Sequence, residues 1–238
     1  MLNFLRTMSI KNKIKTLSFF PLVFIIGMSF YIDMNLYNKQ SKLVDVKEII
    51  NLNEKISLLL HETQKERGIT SAFLGTKGAK FKDTLITQKE LTNKNIEEFK
   101  KTINKISVEK YPENGKNLID NVLKELSSIQ NIRSDVDSLA IDAKKAIAYY
   151  TDLNATLLSF VALTSTIADS ESTIKSIIAY YNFLMAKERA GIERAVGSNT
   201  FASKTFASGM FVKYLGLVNE QKIFFDALLL RGKKVPSK

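Results

Sequence analysis

The sequence predicts an all-α protein. Apolar residues recur at i, i+3, i+4 and i+7 along most of the chain, and only 10 Gly and 3 Pro interrupt its 238 residues. No segment sustains the period-two alternation of β-branched residues that a half-buried strand needs. Few, well-separated breakers make the helices long, and short polar links between them favour antiparallel neighbours. The expected architecture is an antiparallel bundle of about six helices. A transmembrane helix precedes it and runs on into the first long helix.

Taken in order, the elements begin with a basic stretch. Arg6, Lys11, Lys13 and Lys15 face no acid within residues 1–15. Thr16 to Ile32 then carries no charge, and none follows until Asp33. As helix this run rises about 25 Å, the short end of a bilayer span; snorkelling by Lys15 extends its reach. Bases before it and an acid after it place the amino terminus in the cytoplasm and the body outside. No small-x-small site follows the apolar run, which argues for a retained anchor over a cleaved signal. The expected division is a cytoplasmic segment 1–15, a transmembrane helix 16–34 and an extracytoplasmic domain 35–238.

Within that domain a helix continues from about Asp33 to Leu74, where Gly75-Thr-Lys-Gly78 stops it. A second, from about 80 to 108, is heavily charged and turns Leu85, Leu91, Ile96, Phe99, Ile103 and Ile106 inward. Tyr111 to Gly115, Tyr-Pro-Glu-Asn-Gly, reads as a turn. A third helix spans about 116–139, with Leu118, Val122, Leu126 and Ile129 on its inner face. A fourth spans about 142–168; its apolar run Ala146 to Ala168 is interrupted by Asp152 and Asn154, so it is not a second span. Asp169-Ser170-Glu171 caps a fifth helix reaching about Val196. The last, about 206–230, carries Phe211, Leu215, Val218, Phe224, Phe225 and Leu228.

Charge and composition exclude several functions. The formal net charge is +11, but eight of the 35 basic residues lie in the unopposed ends, 1–15 and 231–238. The body is therefore nearly neutral, without the basic face that nucleic-acid binding requires. The absence of cysteine rules out disulfides and thiolate chemistry. His61 is the one histidine, so a histidine metal cluster or catalytic dyad lacks a partner, and a solvated or packed role is expected. The pairs Tyr149-Tyr150 and Tyr180-Tyr181 read as core. There is no phosphate-cradling glycine loop, nucleophile elbow or metal-ligand spacing. The chain reads as a binder and not an enzyme, with no cofactor and no metal.

One residue breaks the pattern. Arg67 lies within roughly 20° of the centre of the apolar stripe Leu52, Ile56, Leu59, Leu60, Thr63, Thr70 and Leu74, at about 100° per residue. A guanidinium stays charged, and burying one unpaired costs several kcal/mol. It needs a negative partner, and two readings stay open. Thr63, Thr70 and Ser71 leave room and hydroxyls for a compact anion; alternatively an acid on a facing helix, such as Asp152 or Glu188, takes the charge. The fifth helix supplies two further candidates. Arg194 borders the small residues Ala190, Gly191, Gly197 and Ser198, while Arg189 has Glu193 at i+4 as an ordinary surface partner.

Four stretches together resemble the nitrate- and nitrite-sensing (NIT) domain, found outside the membrane in bacterial chemoreceptors and other sensors. They are His61-Glu-Thr-Gln-Lys-Glu-Arg-Gly-Ile-Thr-Ser-Ala-Phe-Leu74, Tyr150-Thr-Asp-Leu-Asn-Ala-Thr-Leu-Leu158, Ala186-Lys-Glu-Arg-Ala-Gly-Ile-Glu-Arg-Ala195 and Glu220-Gln-Lys-Ile-Phe-Phe225. The start, Ser9-Ile-Lys-Asn-Lys-Ile-Lys followed by Phe20-Pro21-Leu22, is similar to that of methyl-accepting chemotaxis proteins. The resemblance implies helical bundles in which arginines between helices bind nitrate or nitrite. Carried onto this sequence, those arginines are Arg67 and Arg194, with Arg189 as a further candidate. It also implies a bacterial inner-membrane location, a homodimer, chemotaxis output and further helices beyond Lys238. The rival expectations are a bundle sensing a carboxylate or amino acid, and a structural or partner-binding stalk with internally paired arginines.

Overall fold

The computed structural model describes residues 9–106, 111, 113–168, 170–203, 205–206 and 208–232. Arg6, Val108, Pro112, Asp169, Lys233, Lys234 and Lys238, which entered the sequence reading, lie outside these residues, as do the side chains of Lys13, Ser198 and Arg231. The described chain forms six helices: α1 Ile10–Gly75, α2 Lys82–Ile103, α3 Glu113–Asp137, α4 Ala143–Thr164, α5 Glu171–Ser203 and α6 Met210–Gly232. It divides into two compact units, Met1–Lys47 and Glu48–Lys238.

The first unit holds Ile10–Tyr37, a stretch of α1 long and apolar enough to cross a membrane, with mean hydropathy 1.8. Its large side chains, among them Phe20, Phe24 and Phe30, are exposed. Exposed phenylalanines in such numbers are what a lipid-facing surface requires and what water penalises.

In the second unit the apolar stripes converge on one core. Leu52, Ile56, Leu59 and Leu60 of α1 meet Ile96 and Phe99 of α2, Ile119, Val122, Leu126 and Ile129 of α3, and Tyr150, Leu153, Leu157 and Phe160 of α4. Leu184 of α5 joins the same cluster. α6 instead packs on α5, with Leu217 against Ile192 and Val196. Helix direction follows from the polar pairs: Asn53–Thr164, Thr63–Asn154 and Arg67–Thr151 ascend along α1 while they descend along α4. Those two helices are antiparallel. α4 is also long and apolar enough to cross a membrane, with mean hydropathy 1.2, but much of that apolar surface is buried in the core.

The ends of the helices follow local chemistry. After α1, Gly78 N–H donates to the Phe73 carbonyl at 3.0 Å, and Gly78 takes φ +78°. That left-handed conformation is one glycine adopts without strain. Ser170 caps α5, its Oγ accepting from Thr173 N–H at 3.1 Å. Asp142 caps α4 by accepting from Lys145 N–H at 2.8 Å. Asp142→Ala should therefore cost about 1 kcal/mol, read as a lower urea midpoint with an unchanged slope.

Several expectations change. Leu91 is 41% exposed, while Gln88 and Thr92 take the inner positions. The buried row 85, 88, 92, 96, 99, 103 follows helical spacing, and Leu91 sits about 100° away from it. Gly115 lies inside α3 and not in a turn, since α3 begins at Glu113. Packing accounts for the glycine: a Cβ there would come within 2.7 Å of Leu163 Cδ2. α5 runs through Gly197 to Ser203, past the expected end. On α6, Phe211, Leu215, Val218 and Phe225 are exposed, Leu217 is buried, and Phe224 and Leu228 are half-buried.

Candidate functional site

Arg67 is buried in the second unit, with its side chain 2% exposed. Its stripe position on α1 faces α4 and α5, and both helices answer its charge. Nη1 donates to Glu188 Oε1 at 2.5 Å and to Thr151 Oγ1 at 3.1 Å, and Nη2 donates to Glu188 Oε2 at 3.3 Å. Of the two partners left open by the sequence, the described residues supply the carboxylate, Glu188. Glu188 is itself enclosed and collects further donors: Gln64 Nε2 at 2.6 Å and Asn154 Nδ2 at 3.4 Å, both to Oε2. Asn154 Oδ1 in turn accepts from Thr63 Oγ1 at 2.6 Å. Two opposite charges and four neutral side chains thus form one network linking α1, α4 and α5. Such a network is stable only when its donors and acceptors are matched.

Gly191 explains how α5 comes so close. A Cβ at that position would lie 3.0 Å from Arg67 Nη2, so the missing side chain is what lets the guanidinium reach the α5 backbone. Outward from this contact the surface is basic. Lys187 and Arg194 lie one turn before and one turn after Gly191 on α5. A helical side chain leans back over the preceding turn, which carries the exposed Arg194 toward Gly191. Lys187 Nζ donates to His61 Nδ1 at 3.1 Å, which requires the imidazole to be neutral at that nitrogen. Burial, then the charge of Lys187, holds the pKa of His61 below its ordinary value. Burial and Arg194 likewise lower that of Lys187. Crowded cations resisting protonation amount to a locally positive potential, which attracts anions.

The other expected residues fall into place around this centre. Thr63 spends its hydroxyl hydrogen within the network. Thr70 Oγ1, one turn beyond Arg67, is buried beside the Tyr150 hydroxyl without a well-aligned hydrogen bond among the described residues. Ser71 is half-buried on the following position. Arg189 points elsewhere: its Nε pairs with Glu220 of α6 and its guanidinium lies 6.0 Å from the Phe224 ring centroid. The expected i+4 pairing with Glu193 is not formed: Arg189 Nε is turned to Glu220, and Glu193 accepts from Gln221 Nε2 at 2.5 Å. Arg189 therefore joins α5 to α6, on a different face from Arg67.

A second buried ion pair escaped the sequence reading. Glu66 accepts from Arg133 Nε at 2.7 Å, from Arg133 Nη2 at 2.8 Å and from the Tyr150 hydroxyl at 2.7 Å. Asn93 Oδ1 accepts from Arg133 Nη1 at 2.6 Å. Burial opposes the charge on Arg133, but Glu66 more than offsets it and raises the pKa. Burial, then the Glu66 charge, pushes the Tyr150 phenol far above its ordinary value. This cluster pins α1, α2, α3 and α4 together and offers no free donor fork. Its one sequence signal is Glu66 and Arg133 at apolar register positions; for Thr151 and Asn154 it is their place inside an apolar run.

A family model described as nitrate and nitrite sensing, NIT, matches residues 58–232. This chain belongs to that family. The match embraces the end of α1 with Arg67 and everything through α6, so nitrate and nitrite sensing is the role attached to the domain just described. No curated protein matches the chain. Among solved structures the chain is similar to the NasR transcription antiterminator, with a TM-score of 0.77 at 20% identity. The superposition covers 88% of this chain and 57% of NasR. At that identity the likeness shows a shared helical-bundle fold, and the chain spans little more than half of the NasR length.

Proposed function

We propose that this NIT domain is the membrane-anchored, extracytoplasmic part of a bacterial sensor, binding nitrate or nitrite between α1 and α5. The observation that carries the reading is a buried guanidinium, Arg67, reaching the side-chain-free Gly191 beneath a basic rim. Arg67 and Arg194 are the proposed ligand arginines, with Thr63, Thr70 and Ser71 as neighbouring hydroxyls; Arg189 serves the α5–α6 contact. Each charge-assisted hydrogen bond to the anion contributes on the order of 1.5–3 kcal/mol. Arg67 and the apolar stretch Ile10–Tyr37 belong to the same helix, so a displacement of α1 on binding supplies a route for the signal. Sequence likeness at the amino terminus supports chemotaxis as the output and a homodimer as the working form.

Isothermal titration of the full chain in detergent micelles with nitrate, nitrite, formate and amino acids tests this, and preference for formate or an amino acid would reassign the ligand. Gly191→Ala offers a sharper check. Alanine favours a helix by about 1 kcal/mol over glycine, which offsets the 3.0 Å contact with Arg67. Stability should change little, since the guanidinium has to give by only a few tenths of an ångström, while nitrate affinity falls about ten-fold because the shifted fork no longer lines up with the anion. Unchanged affinity would move the site away from Gly191. The Glu188 bridge favours a second reading, a structural or partner-binding stalk with internally paired arginines; a chain that binds none of these anions would favour it.

A further inference from the structure

Glu188 stands where a ligand oxyanion has to sit. One carboxylate oxygen lies on each arm of the Arg67 guanidinium, at 2.5 and 3.3 Å, and both side chains are almost wholly enclosed. A planar anion with two acceptor oxygens on one atom presents the same pair of oxygens in the same plane. A single fork cannot hold both. Taking Arg67 as the anion seat, as above, we propose that Glu188 is a tethered stand-in for the ligand. It fills the fork when no anion is bound, sets affinity by competing for it, and restricts the site to planar oxyanions.

Three features of the surroundings fit this role. Glu188 does not depend on Arg67 alone: Gln64 on α1 and Asn154 on α4 also donate to it. A displaced carboxylate keeps these neutral donors. Lys187, its neighbour on α5, already feels its charge and stands at the rim to receive it. The fork is also shaped for two oxygens: its N–H groups match carboxylate or nitrate bidentately, and a chloride ion offers no such pair. A tetrahedral sulfate can also present two oxygens to a fork, but its other two lie out of that plane, where the enclosed seat now holding a flat carboxylate has no counterpart for them. Because Glu188 is on α5 and Arg67 on α1, exchanging its carboxylate for a free anion breaks the ion pair between the two helices and leaves the neutral Gln64 hydrogen bond across them. The chemistry at Arg67 is nearly unchanged, and the mechanical connection is what differs. That difference between the states is what a sensor needs to report occupancy.

The test uses Glu188→Ala in the full chain in detergent micelles, with thermal unfolding followed in chloride, sulfate, formate, nitrite and nitrate. The variant should melt lower than the parent in chloride or sulfate. Millimolar formate, nitrite or nitrate should restore it saturably, and Arg67→Ala in the same background should abolish the restoration. Equal melting in all five salts would overturn the proposal. If Glu188→Ala yields no folded protein, titration of Glu188→Gln with nitrate decides. Affinity about ten-fold tighter than the parent's, as expected when a charged competitor becomes a neutral one, supports the stand-in; equal or weaker affinity overturns it. Anion rescue of the alanine variant without nitrate binding by the parent keeps the stand-in and removes the sensor reading. Nitrate binding by the parent without rescue does the reverse.

Discussion

Arg67→Ala is expected to abolish nitrate and nitrite binding and to lower the unfolding temperature by roughly 10 °C. Both consequences come from the same burial. The side chain is 2% exposed and neutralises Glu188, itself 3% exposed. Breaking a buried pair from one side costs about 3–5 kcal/mol, mainly because the other charge is left without compensation. Glu188 retains Gln64 and Asn154 as donors, which places the loss near the lower end, about 3 kcal/mol. For a domain of this size that is the stated change in melting temperature. Arg67→Met with Glu188→Leu removes both charges while keeping apolar volume, and should recover most of the stability but none of the binding. Calorimetric titration alongside thermal melts of the single and double variants separates the two effects. Nitrate affinity surviving Arg67→Ala would remove Arg67 from the site.

Glu66→Ala should destabilise at least as much, by about 4 kcal/mol, yet leave the anion site working in the molecules that stay folded. Glu66 is wholly buried and accepts three hydrogen bonds, two from Arg133 and one from Tyr150. Its removal strands a guanidinium that has only Asn93 and the Lys89 carbonyl left to turn to, and it orphans a buried phenol as well. Although next to Arg67 in sequence, it points to α3 and α4 and not to α5. Nitrate titrated at low temperature should give an affinity within about three-fold of the parent's, since the two networks share no hydrogen-bonded side chain and touch where Thr70 lies beside the Tyr150 hydroxyl. A loss of affinity beyond ten-fold would mean the two ion pairs act as one unit. Glu66→Leu with Arg133→Met again serves as the stabilising control.

How legible each of these was depends on the kind of interaction. Arg67 stood out because a single helix reports its own register: one cation on an apolar stripe is visible from spacing alone. Glu66 was equally buried but hidden, because glutamate in a run of Lys and Glu reads as a solvated surface residue. Leu91 misled in the opposite sense; its apolarity argued for the core, while the row that faces the core is fixed by where α2 contacts α1 and α3. Gly191 stood inside an expected helix and Gly115 in an expected turn, and the reasons for them, Arg67 and Leu163, lie 124 and 48 positions away in sequence. Arg189 was the weaker candidate beside Arg194 because an acid stood at i+4, but the acid it pairs with is Glu220 of α6.

By itself the sequence determined the elements: six helices, their breakers, the long apolar stretch near the amino terminus, the class of protein and the one charge that had to be compensated. These are local properties, set by periodicity, caps and hydration along a single strand of chain. Which group compensates that charge was decided by tertiary structure, because the choice between Asp152, Glu188 and a free anion turns on which faces of α4 and α5 meet α1. A buried guanidinium requires an opposite charge in any fold, and only the packing of α5 through Gly191 brings Glu188 within 2.5 Å of it.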